Sequence, residues 1–212
     1  MKTKILISLM LLTFAASSCA ECRNIKSYKL TEAEKQMIPY ELGQTVNFIN
    51  SMGQPFVLTV GRNTIYTWQN DECWSFEIQS VHLMSELGDA EIRLTISGEY
   101  NQISIYIFGF GYGLGYDEDG TFKTYTPFPD AEQFFHESIE INGKVYYDVV
   151  EQNNSSNGTQ LFYNKTYGIL HVNKDGKTFL TINPKTEEDK ENKSLDVIDC
   201  LDFPLADSVG SD

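Results

Sequence analysis

Four aromatic residues are the side chains of this sequence that could best hold a ligand. Trp68 and Trp74 flank a short polar segment, while Tyr112 and Tyr116 belong to a stretch in which glycines alternate with larger residues. Aromatic rings combine a large apolar face with a polar edge, and they anchor sugars and protein partners. Aromatic residues in strands also commonly fill cores, which is the expectation for most of the aromatics in this chain. The four residues are therefore the predicted ligand-binding candidates.

The sequence contains no arrangement of residues that predicts a particular catalytic reaction. The three histidines, His82, His136 and His171, are far apart in the chain, and no Ser or Cys stands in a nucleophile motif. Carboxylates are numerous, but sequence alone does not place two of them at the separation that glycosidases require. These observations favour a non-enzymatic module that binds a glycan or a protein. The alternative is a hydrolase that acts on an envelope or host polymer. No catalytic residue, cofactor or metal site is predicted.

The first nineteen residues have the pattern of an export signal. Lys2 and Lys4 precede an apolar run over residues 5–14 that is too short to span a bilayer, and small residues follow it. The last three of these small residues, 16–18, stand directly before Cys19, and the segment resembles the lipobox of bacterial lipoproteins. The resemblance implies cleavage after Ser18, diacylglycerol on the Cys19 sulfur and a further acyl chain, such as palmitate, on the new amino terminus. Two or three acyl chains make a lasting membrane anchor.

The charge of the chain limits its partners. The formal net charge is −14 at pH 7, which argues against nucleic acid and against anionic lipid surfaces. Contact with the membrane is therefore expected only through the N-terminal lipid. The predicted location is the bacterial cell envelope, as an outer-membrane lipoprotein on either the periplasmic or the external face. A glycan or an envelope protein is the expected partner.

Cysteine usage is consistent with export. If lipid occupies Cys19, then Cys22, Cys73 and Cys200 remain, which allows one intramolecular disulfide and leaves one thiol. No cysteine spacing matches a zinc site. Cys73 is the expected participant in a disulfide, and its partner is either Cys22 or Cys200. Either pairing would close a long loop and restrict the unfolded chain.

Hydrophobic periodicity predicts a mainly β protein. Segments with a period of two recur between turn signals, most clearly at Ile92, Leu94 and Ile96 and in the hairpin around Asn142-Gly143. A capping-box pattern predicts one short helix that begins after Thr31. We expect an antiparallel meander of about nine or ten strands. A barrel is slightly preferred to a sandwich, because the glycine-rich strand over residues 108–116 and a predicted bulge near Ser80 are features of barrels.

The domain organisation follows from these patterns. Residues 1–18 are predicted to be the signal peptide, 19–30 the anchor and tether, 31–183 the β domain, and 184–212 a charged linker with a C-terminal extension. The segments KSYKLTEAE (26–34) and FYNKTYGIL (162–170) resemble a group of small lipoproteins from Bacteroidetes-type bacteria. This resemblance implies lipidation and export. It implies no catalytic residue, because the group has no established activity.

Overall fold

The structure, a computed structural model, describes residues 25–69, 74–117, 119–123 and 130–183. These residues form twelve strands and one single-turn helix. The elements are β1 (Lys26–Tyr28), α1 (Glu32–Lys35), β2 (Thr45–Asn50), β3 (Pro55–Gln69), β4 (Trp74–Met84), β5 (Glu91–Ser97), β6 (Gln102–Ile107), β7 (Phe110–Gly115), β8 (Ala131–Ile141), β9 (Lys144–Asn154), β10 (Thr159–Asn164), β11 (Gly168–Lys174) and β12 (Lys177–Ile182).

The strands form one antiparallel sheet that curls into a nearly closed barrel. Its spatial order is β7-β6-β5-β4-β3-β2-β12-β11-β10-β9-β8, so β2 pairs with the last strand, β12, and β7 and β8 are the two edges of the sheet. The short strand β1 runs parallel to the start of β4. The predicted mainly antiparallel β fold is confirmed. The structure contains twelve strands rather than nine or ten.

The core fills the interior of the barrel. Strands β5 and β6 alternate as the sequence predicted, because Ile92, Leu94 and Ile96 point inward together with Ile103 and Ile105, and all five are fully buried. A strand with this alternation presents one face to the core and the other to water. The outer faces of β3 to β6 are consequently available for polar residues.

Two buried glutamines close the barrel where β7 meets the hairpin β8–β9. Gln133 and Gln152 are direct cross-strand partners and are 3% and 1% exposed. The Gln152 amide accepts from Gly113 N at 3.0 Å and donates to Gly113 O at 2.8 Å. The Gln133 amide makes the same pair of bonds with Gly115, both at 3.1 Å. Because buried backbone groups must be paired, the two side-chain amides take the place of a missing neighbouring strand.

A bulge in β3 determines which of its residues face outward. The pairing of β3 with β4 shifts by one residue between Val60 and Arg62, so Gly61 is the extra residue. Val60 is buried and Arg62 is exposed, although an unbroken period of two would place them on the same face. The pairing shows no shift at Ser80, so the bulge predicted there is absent. Strand β4 instead has apolar residues on both faces, with Phe76 covered from outside by other aromatic rings.

The chain before β2 packs against one end of the barrel. The Thr31 side chain accepts from Glu34 N at 3.2 Å, and Glu34 Oε2 accepts from Thr31 N at 2.7 Å, which is the capping box.

Among the described residues, no helix is long and apolar enough to cross a membrane. The predicted lipidation site Cys19, the disulfide candidates Cys22, Cys73 and Cys200, and the predicted C-terminal extension all lie outside the described residues.

Candidate functional site

The four predicted ligand-binding aromatics lie in two different environments. Tyr112 and Tyr116 point into the barrel and are 1% and 0% exposed. The Tyr116 hydroxyl donates to Glu34 Oε1 at 3.1 Å, and burial raises the pKa of Tyr116 far above its usual value. These two tyrosines offer no surface to a ligand from solvent. Trp68 and Trp74 lie on the outer face of the hairpin β3–β4.

Trp68 belongs to an outer aromatic cluster formed by Tyr28, Trp68, Trp74 and Phe76. Trp68 stacks on Phe76 with 5.9 Å between ring centroids, and Tyr28 stacks on both Phe76 and Trp74. The Lys26 ammonium lies over the Trp74 ring at 5.1 Å, so Trp74 has Tyr28 and Lys26 close to it. Trp68 is 50% exposed. Within the cluster, Trp68 therefore presents the largest free aromatic surface.

A polar groove of about 560 Å³ lies further along the same outer face. Its lining consists of two cross-strand rows that run over β3, β4, β5 and β6. One row is Arg62, His82, Arg93 and Tyr106, and the other is Thr64, Ser80, Thr95 and Ser104. Tyr66 completes the lining and is 48% exposed. None of these residues was predicted as a site residue from the sequence.

The groove and the aromatic cluster form one continuous surface, which we call the outer face site. Thr64, Tyr66 and Trp68 alternate on the outer side of β3, and Trp68 lies opposite Phe76 on β4. Arg62 and Trp68 are six residues apart on one strand, which corresponds to about 20 Å at 3.3 Å per residue. The outer face site therefore combines cations and hydroxyl groups at one end with half-exposed rings at the other.

Arg62, His82, Arg93 and Tyr106 form the row that we call the cationic row. Its two arginines are exposed to solvent. His82 Nδ1 donates to the Glu91 carboxylate, and Ser80 Oγ lies 3.0 Å from His82 Nε2. The Arg93 guanidinium lies over the Tyr106 ring at 4.9 Å. Among the described residues, the ion pairs are Lys35–Glu32, His82–Glu91, Lys123–Asp117 and His136–Glu151, and none of them involves an arginine.

A separate polar network lies on the outer side of β8 to β11. Glu151 accepts from His136 Nε2 at 2.6 Å, from Gln160 at 2.7 Å and from Asn153 at 2.8 Å. Burial raises the pKa of the Glu151 carboxyl, but these three donors together outweigh it and hold the pKa below its usual value. A carboxylate that is saturated by donors is a weak base, because protonation would break those hydrogen bonds. This network is a poor candidate for the general base of a hydrolase.

Another concave region, of about 360 Å³, lies beside the end of β10. Its lining includes Phe135, Tyr147, Asp148 and Lys165, and Asp148 has a positive φ of 53°. Tyr147 is 68% exposed and no ring contact is present between it and Phe135 among the described residues. This region lacks the aligned rows of the outer face site. In the described part of the chain, no group of three or more His, Cys, Asp or Glu residues is arranged to hold a metal ion.

Comparison of the chain with family models, with curated proteins and with solved structures finds no match. The chemistry of the outer face site is therefore the basis for a functional proposal.

Proposed function

We propose that this protein is a non-enzymatic glycan-binding module of the bacterial cell envelope, attached to the membrane through lipid on Cys19. The observation that carries the binding role is the half-exposed ring of Trp68, which is held in position by stacking on the buried Phe76. A ring fixed in this way loses little freedom when a ligand stacks on it, so more of the contact energy appears as affinity.

The neighbouring residues support a glycan as the ligand. Tyr66 continues the aromatic surface along β3, and the hydroxyl groups of Thr64, Thr95 and Ser104 line the adjoining groove. Glycans present both apolar ring faces and hydroxyl groups, and this surface offers a complementary partner for each. The alternating arrangement places these groups along a line of about 20 Å, which suits a linear oligomer better than a small compact ligand.

The alternative is a hydrolase acting on an envelope or host polymer. The groove lining contains no Asp or Glu residue, and Glu91 beside it is engaged with His82. Glycoside hydrolysis uses two carboxyl groups that flank the scissile bond. The composition of the groove therefore favours binding over hydrolysis.

A glycan array tests the binding role. We expect the purified full chain to bind a subset of glycans, and Trp68→Ala and Tyr66→Ala to weaken this binding about tenfold or more, since truncation of an aromatic hot spot costs about 2 kcal/mol or more and each 1.4 kcal/mol is tenfold. Tyr147→Ala is the matched control, because Tyr147 is an exposed aromatic on a distant strand, and it should leave binding unchanged. Turnover of a polysaccharide that a single carboxylate substitution abolishes would instead support the hydrolase.

The anchor has its own test. Mass spectrometry of the membrane fraction should identify acylated Cys19 as the mature amino terminus. The Cys19→Ala chain should leave the membrane fraction, because a protein that has lost its acyl chains loses its anchor. If Cys19→Ala remained membrane-bound to the same extent, the lipid anchor would be refuted while the glycan-binding role would stand.

A further inference from the structure

The outer face site carries a concentration of arginine that the rest of the chain does not. The chain has 16 Lys and Arg residues, of which only three are arginines: Arg23, Arg62 and Arg93. Both arginines that the structure describes lie in the same cross-strand row, on either side of His82. The groove lining contains no lysine. A chain that uses lysine almost everywhere therefore has a specific requirement for guanidinium groups at this place.

The geometry of the row concentrates positive charge. Adjacent strands are about 4.8 Å apart, so the Cα atoms of Arg62 and Arg93 are separated by about 10 Å with His82 between them. The two guanidinium charges repel each other at this separation, which is about one Debye length at 0.1 M salt. The Glu91 carboxylate contacts His82 rather than an arginine, and neither guanidinium has an ion-pair partner among the described residues. A bound anion would remove this repulsion.

The surroundings of the row suit an anion with several oxygen atoms. Guanidinium groups bind carboxylate, sulfate and phosphate oxygens in a bidentate manner, which a lysine ammonium does not reproduce. Stacking on the Tyr106 ring restricts the Arg93 guanidinium, and the neighbouring row supplies hydroxyl donors from Thr95 and Ser104.

We propose that Arg62 and Arg93, together with the hydroxyl groups of the adjoining row, form an oxyanion subsite that takes the sulfate or carboxylate group of an acidic glycan. The glycan part of this inference rests on the proposed function, whereas the oxyanion subsite itself does not. The ring of Trp68 and the arginines are about 20 Å apart along β3, so one acidic oligomer can contact both.

Inorganic sulfate is the first probe. The Nε–H signals of the arginines in the full chain are followed by NMR while sulfate replaces chloride at constant ionic strength. We expect saturable shifts for Arg62 and Arg93 and none for Arg23. Shifts that never saturate, or that are equal for all three arginines, would overturn the subsite, because a diffuse ionic atmosphere acts on every cation alike.

The variant Arg62→Lys/Arg93→Lys separates geometry from charge. It keeps both positive charges but removes the bidentate forks, so we expect sulfate affinity to fall about tenfold through the loss of charge-assisted hydrogen bonds. Lys177→Gln, which removes a cation from an exposed position on β12, is the control and should have no effect. Unchanged sulfate affinity in the double lysine variant would refute the subsite, provided that its thermal unfolding matches that of the wild type.

Acidic glycans and their neutral counterparts complete the test. We expect the double lysine variant to lose its preference for sulfated or uronate-containing glycans over the matched neutral ones. We expect Trp68→Ala to lose binding to the acidic and the neutral glycans alike. Saturable sulfate binding without any glycan binding would remove the proposed function and keep the subsite. Glycan binding with no preference for acidic forms would keep the proposed function and remove the subsite.

Discussion

The glutamine pair that closes the barrel gives the sharpest prediction about stability. The substitution Gln152→Met keeps the length and volume of the side chain but removes the amide. Gly113 N and Gly113 O would then lose the partners that they contact at 3.0 and 2.8 Å. Gln152 is 1% exposed, so water does not replace the amide without opening the barrel between β7 and β8.

The magnitude follows from the two orphaned backbone groups. Each buried donor or acceptor that loses its partner costs about 1–3 kcal/mol, so we expect the free energy of unfolding to fall by about 2–6 kcal/mol. This is a large part of the 5–15 kcal/mol that is typical of a single domain. The measurement is urea unfolding followed by tryptophan fluorescence.

The control is Gln102→Met on β6. Gln102 is only half-buried, and its amide makes one long hydrogen bond, of 3.3 Å, to Ser104 Oγ. Water can replace that contact, so we expect a loss of less than about 1 kcal/mol. Hydrogen exchange provides a local measurement, because the Gly113 amide should exchange much faster in Gln152→Met. If Gln152→Met were as stable as Gln102→Met, the glutamine pair would not be what closes the barrel.

Two further predictions concern a close contact and a half-buried histidine. Gly168 has a φ of 76°, and a Cβ atom added at this position would collide with the Tyr40 ring. We therefore expect Gly168→Ala to lower the free energy of unfolding by about 2–5 kcal/mol. The control is Gly143→Ala, at a position with a similar φ and open space around it, which should cost about 1 kcal/mol. A similar loss in both variants would contradict the packing argument. Burial lowers the pKa of His171 despite a hydrogen bond to Asn173, so the unfolded chain binds this proton more readily and stability should fall as the pH drops below about 6.5. Urea unfolding at pH 8 and pH 5.5 should show a smaller pH dependence for His171→Gln, and an unchanged dependence would refute this account.

Strict alternation and turn chemistry made much of the fold predictable from the sequence. The hairpin at Asn142-Gly143 is confirmed, with φ values of 53° and 79° at the two turn residues. The alternating strands β5 and β6 are likewise confirmed. The inward positions of β5 and β6 are all apolar, and the residues of the Asn142-Gly143 turn are suited to a positive φ, so local pattern and global structure agree in these places.

The β8–β9 hairpin shows where the same rule fails. Strand β8 begins at Ala131 and β9 continues to Asn154, although the sequence over 131–136 and from 152 onward lacks the alternation of a strand. The cause is that Gln133 and Gln152 are polar residues at inward positions. Their partners are backbone groups of β7, which come from a distant part of the chain, and no local pattern reveals such a contact.

The residues that line the groove were not predicted from the sequence for a related reason. Leu58 and Val60 are buried, so a regular strand would also bury Arg62 and the alternate residues that follow it. The bulge at Gly61 reverses this phase and brings Arg62, Tyr66 and Trp68 to the outside. An isolated glycine within a strand pattern is the signal of such a bulge, but glycine is also typical of the turns between strands. Trp68 was predicted as a site residue from its residue type alone, whereas the position of the arginines beside it depends on the register.

The net charge of −14 imposes a further condition on any acidic ligand of the outer face site. At low ionic strength the field of the whole protein repels an anion, while the two arginines attract it locally. Salt at about 0.1 M screens interactions beyond about 10 Å, so it weakens the long-range repulsion more than the direct contacts. We therefore expect the association rate of an acidic glycan to rise as salt is added from low concentration, opposite to the behaviour of a basic protein. A ligand that engages both arginines and the Trp68 ring gains enough contacts to overcome this repulsion, whereas a simple anion gains only those of the arginines. The net negative charge of the protein therefore favours the binding of extended acidic polymers over that of small anions.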